Sequence, residues 1–370
     1  MEKKKIRILE IITSLNDGGV EKMLLNYISH MNLDIFCVDI AVSDCKEGML
    51  EQSFIDLGCN VFRMRKIRDG LIKYNRTLKN IIRQGNYDIV HVHSGYKSFF
   101  ALYASWKVGV KCRIAHTHYA YVKENIFGKI NRAILTYLTK KYSTSLFSCS
   151  SEASMWTWGK KTSSYIMING IDLSKYFFSL EKRDELRTKY NLLNNVVYGC
   201  VGRLSYQKNH ELNLRVFKEI HKLQPNAKFV LVGGGEEESK IKKLIVDLKL
   251  SNDVLLLGSR NDVEYLINMF DSFVLLSRFE GLGIVFVEAQ TNGLFCYGSD
   301  KCVKDADLGR MAFVNISSEP TEIAQKIVDD YHEGKFSRQS VNSKAFDIHS
   351  CVSFLEDQYK KIYLEAIRHA

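Results

Sequence analysis

The sequence predicts an α/β protein made of two doubly wound parallel-sheet domains that face one another across a deep cleft. Two observations point that way. Short apolar runs of strand length alternate with helical patterns along the chain, and this alternation restarts after a connecting segment at 173–195. The 370 residues, 46% hydrophobic and 25% charged, supply material for two cores of ordinary composition. Only Pro225 and Pro320 occur, so no Pro-rich linker marks the division. We expect an acceptor-side domain over 1–175 and a nucleotide-binding domain over 176–351. An amphipathic helix at 352–370 is expected to pack back onto the first.

In the first domain, residues 6–13 read as a buried strand. It runs into a turn containing Gly18 and Gly19, followed by a helix to about residue 30. A strand, a glycine turn and a helix N-terminus together make a backbone anion site. Strands follow at 35–42 and 60–64. The segment 63–83 is rich in Arg and Lys and turns helical from Leu71, with Leu71, Leu78, Ile81 and Ile82 as its apolar face. Residues 88–93 and 111–115 read as strands ending in His91-Val92-His93 and His116-Thr117-His118. Both histidine pairs therefore fall at the carboxyl ends of strands, where open α/β sheets place their ligands. No carboxylate or Cys stands at matching ligand spacing, so a metal is not expected there. Residues 119–142 mix aromatic and basic side chains and suit a membrane interface or a lipid-linked acceptor. Strands at 146–150 and 165–169 close this half.

In the second half, strands are expected at 196–201, 228–232, 254–257, 273–276 and 294–297. Helices are expected near 209–223, 236–249 and 262–269. Arg203 and Lys208 bracket the loop after the first of these strands, and two cations there can neutralise a diphosphate. Arg260 follows the third strand and is a candidate neighbour of a nucleobase, with Asp262 a candidate helix cap. The fourth strand leads into Glu280-Gly281-Leu282-Gly283-Ile284 and a helix containing Glu288. The glycines admit a ligand close to the backbone, and the helix aims its free N–H groups at the same spot. Two carboxylates beside an anion site make sense if the anion is joined to hydroxyl-rich groups, as in a sugar nucleotide.

Net charge is +10, and residues 1–175 hold 26 Lys and Arg against 15 Asp and Glu. The excess lies in the first half and points to an anionic partner, of which a membrane surface or lipid-linked phosphate is favoured over nucleic acid. Nine cysteines without a CxxC pair fit a reduced interior. Arg7 and Glu10 break the first apolar run, which argues against a signal peptide, and no stretch is long enough to span a bilayer. A cytoplasmic protein, peripheral at the inner face of the plasma membrane, is the expectation.

These residues resemble a known family. Glu280 and Glu288 form the E-x7-E pattern of the retaining glycosyltransferases of family 4 (GT4), which have the GT-B fold of two Rossmann-like domains. Gly202-Arg203, Lys208-Asn209-His210 and Gly258 with Asp262 match that pattern. So do Phe279 to Leu282 with Glu288-Ala289-Gln290. Asp17-Gly18-Gly19-Val20-Glu21, His116-Thr117-His118 and Ser150-Ser151-Glu152 are similar to the EpsF-like branch that builds capsule and exopolysaccharide.

The resemblance implies transfer of a hexose or N-acetylhexosamine from a nucleotide sugar, most naturally a UDP-sugar, to a lipid-linked or cell-surface glycan. It further implies that Glu280 holds the donor sugar, with the backbone of Leu282, Gly283 and Ile284 near sugar and phosphate. Glu288 would bind the ribose, and Arg203 and Lys208 the leaving diphosphate. Gly19 would approach the phosphates or acceptor, and His118, before His116, the transferring sugar. No metal cofactor is implied. The alternatives are another GT-B reaction, such as nucleotide-sugar epimerisation, or a catalytically silent partner subunit.

Overall fold

The computed structural model describes residues 4–16, 18–118, 125–302 and 304–368. The chain forms two compact units, one running to Ile171 and resuming at Ala345, the other spanning Asp172–Lys344. The first contains a seven-stranded sheet: β1 (Ile6–Ile12), β2 (Phe36–Val42), β3 (Val61–Arg63), β4 (Ile89–Val92), β5 (Cys112–Thr117), β6 (Ser145–Ser148) and β7 (Tyr165–Ile166). Its order is β3-β2-β1-β4-β5-β6-β7, with every pairing parallel. The second contains a six-stranded sheet: β8 (Val196–Val201), β9 (Ala227–Val232), β10 (Val254–Gly258), β11 (Ser272–Leu275), β12 (Phe295–Ser299) and β13 (Met311–Val314). Its order is β10-β9-β8-β11-β12-β13, again all parallel. Strands buried on both faces explain why the sequence shows continuous apolar runs and no alternation.

Each sheet reverses its winding once, between β1 and β4 in the first unit and between β8 and β11 in the second. Doubly wound sheets place their ligands at such turning points, beyond the carboxyl ends of the strands.

The helix Ile348–Arg368 belongs to the first unit. Ile348, Cys351, Val352, Leu355, Tyr359 and Ile362 recur every three or four residues and are buried in the core with Tyr27, Phe36 and Ile114. Burying these six side chains is worth roughly 10 kcal/mol before ordering entropy, enough to make the helix part of the fold. A backbone bridge leads into it: Ile171 N–H donates to Phe346 O at 2.8 Å and Ile348 N–H to Ile171 O at 3.0 Å.

Three details differ from the sequence reading. The basic helix Leu71–Gly85 buries Tyr74, Leu78, Ile81 and Ile82, while Leu71 is 42% exposed. The residue one turn further on is the one that reaches the sheet. Strand β13 and the helix Pro320–His332 were not anticipated, although Pro320 stands in the first turn, where its missing N–H costs nothing. Asp262 occupies the N-cap position of Val263–Leu266 but makes no capping bond, because Arg260 takes both its oxygens. The aromatic and basic segment at 119–142 lies partly outside the described residues. From Ile126 to Tyr142 it is a helix.

Candidate active site

In the second unit the loops after β8 and β11 are stitched together. Asn209, in the left-handed region at φ 53°, starts the helix His210–Leu223 and donates its side-chain amide to Leu276 O at 3.1 Å. Asn213 accepts from Leu276 N–H at 2.9 Å. Gln207 holds the next residues, accepting from Arg278 N–H at 2.8 Å and donating to Phe279 O at 3.1 Å. His210 Nε2 donates to Arg203 O at 2.9 Å. This lattice brings Lys208 against Glu280, 72 residues away, with Nζ 2.7 Å from Oε1. Ser277 Oγ donates to the same oxygen at 2.6 Å. Both of these hydrogen bonds fall on Oε1 and neither on Oε2. Glu280 is only 7% exposed, so its charge is matched locally by the ammonium.

Gly283 lies at φ 69° immediately before the helix Ile284–Thr291. A Cβ there would sit 3.0 Å from the Phe286 ring. Glycine is thus required both by backbone conformation and by packing. Leu282 is buried under the same turn, and Gly281 and Ile284 are half-buried. Glu288, one turn into the helix, accepts from the Tyr176 hydroxyl at 3.0 Å. Burial and the adjacent carboxylate push the Tyr176 phenol far above its ordinary range. Arg203 and Arg260 are placed differently from Lys208. Arg203 pairs with Glu236 at 3.0 Å on the surface, and Arg260 forms a two-bond fork with Asp262.

In the first unit Gly18 caps the helix Gly19–His30 at the end of the β1 loop. A Cβ on Gly18 would collide with the Glu21 carboxylate, whereas nothing lies within 4 Å of the Cβ position of Gly19. Beside this loop four imidazoles are gathered at the ends of β4 and β5. Ring centroids are 4.3 Å apart for His91 and His93, 4.0 Å for His116 and His118, and 5.1 Å for His93 and His118. Glu10 of β1, 1% exposed, lies under them. His93 Nε2 is 2.7 Å from Glu10 Oε2, and the Tyr359 hydroxyl donates to Oε1 at 2.8 Å. Burial alone would raise this carboxyl, but its interactions with the facing His91 and His93 rings outweigh it and hold Glu10 far below the usual carboxylate range. Burial drives the His93, His116 and His118 rings downward. His91, His93 and His116 have donor atoms within 4.8 Å of one another and are the residues that could gather round a metal. Both ring nitrogens of His93, however, are already engaged in hydrogen bonds.

Sequence reasoning missed Glu10, Tyr359, Ser277 and Tyr176 as site components. Glu10 had a signal, since a carboxylate within an apolar strand must find donors. Tyr176 and Tyr359 had none, as their partners lie 112 and 349 residues away.

Residues 17–175 match the family described as Glycosyltransferase Family 4, and residues 182–328 match that described as Glycosyl transferases group 1. The chain belongs to the family 4 glycosyltransferases. It is accordingly a transferase with the GT-B fold. Among its relatives is EpsF of Bacillus subtilis strain 168, which carries a glycosyltransferase name; it is 26% identical over 87% of both chains. The UDP-Gal:alpha-D-GlcNAc-diphosphoundecaprenol alpha-1,3-galactosyltransferase of Escherichia coli is also 26% identical, over 96% of this chain and 95% of its own. The crystal structure of HepE from Anabaena, solved with UDP, shares the fold at a TM-score of 0.82 and 19% identity. The match covers 96% of this chain and all of that one. Among the described residues no helix is long and apolar enough to cross a membrane.

Proposed function

We propose that this glycosyltransferase moves a hexose or N-acetylhexosamine, with retention, from a UDP-sugar to a lipid-linked glycan in bacterial polysaccharide synthesis. The observation that carries the reading is the buried Lys208–Glu280 pair at the turning point of the second sheet. A carboxylate with one oxygen tied to Lys208 and Ser277 keeps the other for a sugar hydroxyl. Lys208 and Arg203 oppose the charge that grows on the diphosphate as it leaves, aided by backbone N–H groups at Leu282, Gly283 and Ile284. Gly18 and Gly19 let phosphate or acceptor approach the β1 loop. Glu288 meets the ribose, Arg260 borders the base, and His118 contacts the transferring sugar. No metal is required in this scheme, because cations of the chain neutralise the leaving group. In a front-face mechanism the departing phosphate accepts the proton of the attacking hydroxyl.

Relatives support donor and acceptor. One is named for UDP-galactose and a diphosphoundecaprenol-linked sugar, and the HepE structures contain UDP or UDP-glucose. The first unit supports a membrane-bound acceptor. On the helix Ile126–Tyr142, Ile126, Phe127, Ile130, Ile134 and Tyr137 are each more than half exposed, among Lys129, Arg132, Lys140 and Lys141. An exposed apolar stripe flanked by cations suits the interface of an anionic bilayer. The protein would work at the inner face of the plasma membrane.

Thermal unfolding with UDP-, GDP- and ADP-sugars tests the donor site, using the parent chain and an Arg203→Ala, Lys208→Ala variant. A UDP-sugar at 100 times its Kd stabilises the parent by about 2.7 kcal/mol and should leave the variant unmoved. A shift with another nucleotide class only, or an equal shift in the variant, overturns the assignment. Turnover of the sugar nucleotide without any acceptor would instead identify an epimerase.

A further inference from the structure

We propose that Glu10 and His93 act as positioning residues that fix the tautomer of His118, so that its Nδ1 is presented as a bare hydrogen-bond acceptor to a sugar hydroxyl. The inference rests on the contact between His118 and the transferring sugar proposed above. It begins at a group whose role is unambiguous: the Glu10 carboxylate only accepts hydrogen bonds. His93 Nε2, 2.7 Å from Glu10 Oε2, must therefore carry its proton. His93 is shielded from water and packed against the rings of His91, His116 and His118, which disfavours a cationic ring; a neutral ring with its proton on Nε2 has a lone pair on Nδ1 and can only accept there. Its partner is His118 Nε2 at 2.9 Å, which must then donate. His118 is neutral for the same reason. Its remaining nitrogen, Nδ1, is left without a proton. That atom is shielded from solvent and meets no partner among the described residues.

A buried acceptor left open is costly unless something completes it, and a sugar hydroxyl supplies the missing donor. The arrangement resembles the way a carboxylate orients a functional histidine through its second nitrogen, here lengthened by one ring. The other groups facing this chain are consistent with it. Tyr359 donates to Glu10 Oε1, and its oxygen lies 2.7 Å from His91 Nδ1. His91 Nε2 is 3.2 Å from His116 Nδ1. Glu10 thus anchors a second arm through Tyr359, and the His93–His118 arm does not depend on it.

The test is nitrogen-15 NMR of the full chain with labelled histidine, near pH 7.5, correlating each ring nitrogen with its carbon-bound protons. His93 and His118 should both be neutral with the proton on Nε2. A proton on Nδ1 of His118, a doubly protonated ring, or a metal-bound shift that disappears on chelation overturns the proposal. In Glu10→Leu nothing accepts from His93 Nε2, and the Nδ1–H form of His118 should become populated. Transfer kcat/KM should fall about tenfold with it, the effect of one lost hydrogen bond of about 1.4 kcal/mol. Tyr359→Phe cuts only the second arm and should leave the His118 signals in place. An altered tautomer with undiminished transfer overturns the proposal at its functional end. Loss of UDP-sugar binding by the parent chain would overturn the donor assignment separately.

Discussion

Replacing Lys208 with Met keeps the aliphatic stem and removes the charge that faces Glu280. The two side chains are 17% and 5% exposed, and their atoms stand 2.7 Å apart. Removing one partner of a buried ion pair costs about 3–5 kcal/mol, because the other charge stays behind without compensation. Two features reduce that figure here. Ser277 still donates to the same oxygen at 2.6 Å, and Lys208 is only partly buried. A loss of about 2–3 kcal/mol is expected. For a unit of this size that corresponds to a fall in melting temperature of about 5–10 °C. Calorimetry of the full chain reads the shift, and the pair lies in the second unit. Adding Glu280→Gln to the Lys208→Met background removes the stranded charge and should recover at least half of the loss. A Lys208→Met transition within about 1 °C of the parent would refute the reasoning. So would a double variant no more stable than the single one, because the cost would then come from lost packing.

Other expectations follow from the same geometry. Gly283→Ala places a Cβ at φ 69° against the Phe286 ring and should cost about 1–2 kcal/mol by urea unfolding; an unchanged midpoint would show that the turn can relax. Tyr176→Phe deletes the 3.0 Å bond to Glu288 and should lower stability by about 1 kcal/mol, with a larger relative loss in UDP-sugar affinity if that carboxylate meets the ribose. His93, His116 and His118 are held below the ordinary imidazole value, burial first among the causes. The unfolded chain therefore binds protons below about pH 6.5 that the folded chain refuses. Stability should be level above about pH 7.5 and decline as pH falls toward 5, a slope seen in urea midpoints and absent if these rings protonate freely in the fold.

Several parts of the site could be read from local pattern. Glycines at 281 and 283, a following helix and two carboxylates eight positions apart form a local unit, and the structure gives Gly283 the left-handed backbone that only glycine tolerates well. Cations after β8 and β10 were equally legible as types. Their partners were not, and the partners separate them: Lys208 is drawn inward to Glu280, while Arg203 and Arg260 turn to Glu236 and Asp262. Glu10 is the plainest case. In sequence it is a charge that interrupts an apolar run; in the fold it anchors two arms of imidazoles carried by β4 and β5.

The sequence alone determined the alternation of strands and helices, the loops that carry chemistry, and the basic first half. Those features arise from residues within a few positions of one another, where hydrophobic period, backbone freedom and charge act directly. The tertiary structure decided which polar groups meet. The turning points of two parallel sheets bring distant strand ends side by side, and only burial there forces each carboxylate and imidazole to take one specific partner.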